Sequence, residues 1–174
     1  MFLKCRVSGA QRGLGMGAVK AAVVWVAALS MLTVTGVAEA SNYYLEDLGR
    51  FEEPQVGVFK ENKIETTEEF LAASLTSRQR KVLSSKVKLT EAELLEFARD
   101  CELMQITGVG PRAAGLLRAS GVESVLHLSE SDPAGLLQRI KLVNAQERLT
   151  QKNPTLSVVK YWIAQAAKVP YRLR

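Results

Sequence analysis

The stretch Ile106-Thr107-Gly108-Val109-Gly110-Pro111-Arg112 constrains the fold of this chain more than any other. Two glycines around one apolar residue let a backbone reverse tightly between helices while the apolar side chain stays inside. Pro111 suits the first position of a following helix, where the missing N–H costs no hydrogen bond. The alanine-rich run after it reaches Gly121, a residue type that ends helices in the left-handed conformation. The segment therefore reads as the hairpin of a helix-hairpin-helix unit. Such a turn leaves several N–H groups without intrahelical partners, and together they can seat one phosphate.

The chain beyond Ser41 reads as helices throughout, because nothing in it sustains the period-two alternation of a half-buried strand. Helix-start signals recur. Thr66 with Glu69 and Thr90 with Glu93 have capping-box spacing. Asp132-Pro133 pairs a cap with a first-turn proline, and Thr155 after Pro154 opens the last helix. Leu94, Phe97, Cys101 and Met104 form a stripe at helical spacing and read as core. The two halves also resemble each other. Asn62–Thr66 aligns with Ser120–Ser124 at an offset of 58, and Thr90–Phe97 aligns with Thr155–Trp162 at an offset of 65. Internal duplication is the simplest account, with the extra residues of the second copy near Gln146–Asn153. Counting back by 58 puts Gly108, Val109 and Gly110 on Arg50, Phe51 and Glu52. The first copy thus lacks the glycines and sets negative charge where a phosphate would sit. The expected fold is all-α, with two tandem helix-hairpin-helix units, 41–104 and 105–174, packed as one small domain.

Ile106 to Val122, then Asn144 after a Leu/Ile-rich helix, then Pro154-Thr155-Leu156, then Val159-Lys160-Tyr161-Trp162-Ile163 and Pro170, occur in an order that resembles the domain-of-unknown-function family 4332. The resemblance spans about Leu45 to Pro170. It implies an all-helical protein built from helix-hairpin-helix pairs, similar to the non-catalytic modules of DNA repair and polymerase proteins. It implies no activity.

Residues 1–38 hold no acid and carry Lys4, Arg6, Arg12 and Lys20 ahead of the uncharged run Ala21–Ala38. Ala38-Glu39-Ala40 then gives a small-x-small end. This pattern reads as a signal peptide cut after Ala40, with Met16 as an alternative start. The other reading is an uncleaved anchor over 21–38, slightly short of the ~20 residues that span a bilayer. The expected location is periplasmic or secreted, or membrane-anchored if the leader stays. Without 1–40 the net charge falls from +5 to +2, so the basic pI of the whole chain owes much to the leader. The remainder is uneven, at −4 over 41–103 and +6 over 104–174. With Cys5 in the leader, Cys101 is left alone. That excludes an internal disulfide and a cysteine-cluster zinc site.

The candidate phosphate- or DNA-binding residues are Gly108, Val109, Gly110, Arg112 and Arg118. The wider basic set adds Arg139, Lys141, Arg148 and Lys152. It reads either as a track for a polyanion or as an ordinary charged surface. Arg78, Arg80, Lys81, Lys86 and Lys88 read as a solvated helix face and loop or as a second contact surface. His127 is the single histidine and has no partners at metal-ligand spacing. The chain carries no nucleophile elbow, phosphate-binding loop, zinc-protease helix or dinucleotide fingerprint. The expectation is a non-catalytic module without cofactor or metal, which binds an unidentified protein of the cell envelope. The alternative is sequence-independent binding of DNA or another polyanion through the Gly108-Val109-Gly110 hairpin, similar to periplasmic DNA receptors. A membrane enters only if the leader is uncleaved.

Overall fold

Threonine, serine and acidic side chains at helix starts lay out the fold. The computed structural model describes residues 42–174. The expected leader, with its expected cleavage after Ala40, lies outside them. A 3-10 turn, Glu46–Leu48, precedes four helices: α1 (Glu53–Glu61), α2 (Thr67–Ala73), α3 (Ser77–Val87) and α4 (Glu91–Met104). Four more follow: α5 (Pro111–Ala119), α6 (Val125–Ser129), α7 (Pro133–Glu147) and α8 (Leu156–Ala166). The Thr66/Glu69 and Thr90/Glu93 capping boxes both form, and a Thr76/Gln79 box starts α3. Asp132 caps α7 and Thr155 caps α8 as expected, and Ser124 caps α6.

The C-terminal caps of α1 and α3 recur at α5 and α7. Gly121, at φ 86°, ends α5, with the Val122 N–H donating to the Leu117 carbonyl and the Gly121 N–H to the Arg118 carbonyl. The same pair of bonds ends α1, from the Ile64 and Lys63 N–H groups to the Phe59 and Lys60 carbonyls, with Lys63 at φ 60°. Both ends are Schellman motifs, and they lie 58 residues apart. α3 and α7 each end in a left-handed cation, Lys88 and Arg148.

One core runs through both halves. In the first, Phe51, Phe59, Phe70 and Phe97 interlock edge-to-face or stacked, with centroids 4.6–6.1 Å apart. In the second, Val109, Leu117, Leu128, Leu136, Ile140 and Val159 are fully buried. α4 packs against α2 and α3 on one side and α5 on the other, which explains why it buries residues around most of its circumference. Cys101 lies in that core as expected. Burial pushes its thiol well above the ordinary cysteine range.

The tail after α8 returns to the first half. The Glu102 carboxylate, wholly buried, accepts the N–H groups of Arg172 (2.9 Å) and Leu173 (3.3 Å). The Arg174 N–H donates to the Leu75 carbonyl at 2.8 Å. Arg80 departs from the solvated face expected for its cluster. Its side chain is 4% exposed and donates to the Ser74 carbonyl (2.8 Å) and the Arg174 carbonyl (2.9 Å). An arginine is buried here because the turn before α3 and the returning tail offer carbonyls that no backbone N–H satisfies.

Candidate functional site

The hairpin closes on itself before it faces anything else. The Val109 N–H donates to the Ile106 carbonyl at 2.9 Å, and both side chains are fully buried. Gly108 has φ 84°, which a side chain rarely adopts, and its carbonyl accepts the Trp162 indole N–H at 3.2 Å. Gly110 caps α5 with φ −90°, open to any residue. Its glycine character answers a different need. A Cβ there would stand 3.0 Å from the Tyr43 hydroxyl. Tyr43 is held from both sides, its carbonyl accepting the Thr67 N–H (2.9 Å) and its N–H donating to Thr67 Oγ1 (3.2 Å). The two glycines thus serve two constraints: one sets the turn, the other clears space for the Tyr43 side chain.

α5 begins without a side-chain cap. The N–H groups of Gly110, Arg112 and Ala113 find no acceptor among the described residues. α1 starts at the equivalent place, and there Glu52 and Gln55 satisfy each other's backbone in a capping box. The glutamate that the sequence sets against a phosphate in the first copy is therefore a cap for its own helix.

The uncapped first turn of α5 forms one wall of a cleft of about 720 Å³. Leu48, Ala113, Leu116, Pro154, Val158 and Trp162 give it apolar walls, and Arg112, Lys152 and Asp47 give it charge. Arg112 and Lys152 are exposed and form no ion pair among the described residues. The segment carrying Thr150, Lys152 and Pro154 is pinned by Asn144. Its amide donates to the Thr150 carbonyl (3.1 Å) and Asn153 Oδ1 (2.8 Å) and accepts the Thr150 N–H (2.9 Å).

Of the five residues singled out in sequence, only Gly110 and Arg112 line this cleft. Val109 faces the core. Gly108 meets α8 through its carbonyl. Arg118 sits at the far end of α5, where it binds the Glu96 carboxylate, approaches Asp100 at 3.5 Å and donates to the Val122 carbonyl at 3.1 Å. Burial raises the Asp100 carboxyl above its ordinary range, against the pull of Arg50 and Arg118. Lys60, 58 residues before Arg118, pairs instead with Glu46. The first half repeats the hairpin–aromatic contact, with Arg50 5.4 Å over the Phe97 ring where Gly108 takes the Trp162 N–H. Lys152 and the apolar walls join the site through folding, and Tyr43 has no sequence signal at all.

Among the described residues no cluster of three or more His, Cys, Asp or Glu side chains is placed to hold a metal. No described helix is long and apolar enough to cross a membrane. The chain matches the profile of the family described as a domain of unknown function, DUF4332, over residues 49–169. It belongs to that family, as the hairpin and the Asn144, Pro154 and Trp162 landmarks indicate. No curated protein and no solved structure matches it.

Proposed function

We propose that this member of the DUF4332 family is a non-catalytic binding module. It takes a segment of a partner protein into the cleft at the start of α5, and it does so outside the cytoplasm after its leader has directed export. We read the α4–α5 junction as a helix-hairpin-helix turn turned to this use. One observation carries the reading: an uncapped helix start opens onto a cleft whose walls are mostly apolar. Apolar walls reward apolar side chains removed from water. The free N–H groups and the two cations reward a carboxylate or a backbone carbonyl in the same segment. A phosphate backbone would use the cations and leave the walls unfilled. The internal hydrogen bond of Val109, the ion pairs of Arg118 and Asp47 at the rim also disfavour a duplex.

Selection from a random peptide library on the purified protein tests this. The expected enrichment is for sequences that pair Leu, Phe or Trp with Asp or Glu, lost in Arg112→Glu/Lys152→Glu. No enrichment, or enrichment indifferent to that double variant, would contradict it. A second reading, sequence-independent DNA binding, is favoured by the net +6 of residues 104–174. It predicts a steep fall of duplex affinity with salt, traced to Arg112 and Lys152.

A further inference from the structure

The two charged halves of the chain meet at the cleft. Residues 41–103 are net −4 and residues 104–174 net +6. In the first half the acids gather. Glu46 binds Lys60, and Glu65 and Glu53 stand close enough to raise the Lys60 ammonium further above its ordinary range. Three carboxylates around one ammonium leave an acidic patch. The patch adjoins the cleft, because Glu46 and Asp47 are neighbours in the 3-10 turn and Asp47 lines the cleft. Each surface has exposed apolar area beside its charge: Tyr44, 56% exposed, next to the patch, and Val158, 37% exposed, in the cleft wall. The Tyr44 edge is tied to the patch through a bridge with Thr66 and the bond from the Leu45 N–H to the Glu65 carbonyl.

Two complementary surfaces side by side on one molecule suit a two-fold contact, in which each copy's patch meets the other's cleft and one interaction forms twice. We infer that the cleft is occupied by a second copy of this chain, with Glu53 and Glu65 of one copy facing Arg112 and Lys152 of the other. This rests on the reading of the cleft as a protein-binding surface and names its occupant.

Sedimentation velocity of protein expressed from the full-length sequence, at about 50 and 500 mM salt, tests the inference. Wild type sediments as a dimer at low salt, and its dissociation constant rises at least about tenfold at high salt. Arg112→Glu/Lys152→Glu is monomeric, and so is Glu53→Lys/Glu65→Lys. All four side chains are exposed, so both variants keep the wild-type circular dichroism. An equimolar mixture of the two restores a dimer, since every reversed patch then meets an oppositely reversed cleft. A wild type that stays monomeric at about 100 µM and low salt overturns the inference, and so does a dimer indifferent to both reversals. If the protein is monomeric but the cleft still selects acidic–apolar peptides, the inference fails and the binding-module reading stands. If both fail, the cleft is not a protein site.

Discussion

Replacing Gly110 by alanine in the presence and absence of the Tyr43 hydroxyl tests how the hairpin is locked. The φ of −90° costs alanine nothing. Alanine is a poorer N-cap than glycine by roughly 0.5–1 kcal/mol. The smaller conformational freedom of the unfolded chain returns about 0.4–1 kcal/mol, so these two effects nearly cancel. What remains is the contact with Tyr43. A Cβ 3.0 Å from the hydroxyl forces the ring to give by a few tenths of an ångström, and the Thr67 bonds hold the Tyr43 backbone that would have to retreat. Overpacking of this kind costs about 1–3 kcal/mol, and a mobile hydroxyl end places the expected value at about 1–2. In Tyr43→Phe the nearest atom is the ring carbon at 3.8 Å, an ordinary contact. Gly110→Ala should then cost less than about 0.5 kcal/mol, giving a coupling of about 0.5–2 kcal/mol. Gly108→Ala serves as the control. Its φ of 84° strains any side chain, so it costs about 1–2 kcal/mol in both backgrounds. Urea unfolding followed by circular dichroism reads all three. An equal cost of Gly110→Ala with and without the hydroxyl would refute the steric argument.

Four further outcomes follow from the same geometry. Glu102→Ala should cost about 2–4 kcal/mol, because two N–H groups lose a charged acceptor inside the core. Glu102→Gln keeps Oε1 and should cost less, and hydrogen exchange at Arg172 and Leu173 should accelerate in the alanine variant alone. Arg118→Ala should lower the urea midpoint and leave peptide binding unchanged, whereas Arg112→Ala does the reverse; matching effects of the two would contradict their assigned places. Cys101 should resist iodoacetamide at pH 8 at the rate of global unfolding, read by mass spectrometry of its peptide, and rapid labelling of native protein would contradict its burial. The Glu69 and Glu93 carboxyls lie below their ordinary range, through the N–H groups of Glu65 and Thr90 respectively. Their contribution is complete above the unfolded carboxyl range and disappears as pH falls through the folded values. Glu69→Gln/Glu93→Gln, which retains both caps, should flatten that acid limb of the melting curve.

Local chemistry was legible in the sequence and long-range chemistry was not. Thr66, Thr90, Asp132 and Thr155 cap the helices they precede because a cap acts on residues two or three positions away. Pro111 and Gly121 bracket α5 for the same reason. Lys63 and Arg148 adopt left-handed conformations that residue type does not announce, held by local bonds from the Lys63 and Ile64 N–H groups to the Lys60 and Phe59 carbonyls and from the Arg148 N–H to the Asn144 carbonyl. The candidate site divides along this line. Gly110 and Arg112 were legible as a helix start. Lys152 reaches them only through the Asn144-pinned segment, and Tyr43 comes from the far end of the domain. Arg118 and Arg80 look like surface cations in sequence. Glu96 and Asp100 engage the first, and the Ser74 and Arg174 carbonyls the second.

The proposed occupant of the cleft is protein and not a phosphate backbone. Amide-resolved NMR tests this most directly, with the protein titrated at physiological salt with a library-selected acidic–apolar peptide and, separately, with a duplex of random sequence. The peptide is expected to shift the amides of Gly110, Arg112, Ala113 and Lys152 together with the Trp162 indole N–H, and the duplex to leave them in place. Shifts of the same set by the duplex, with none from the peptide, would contradict the proposal.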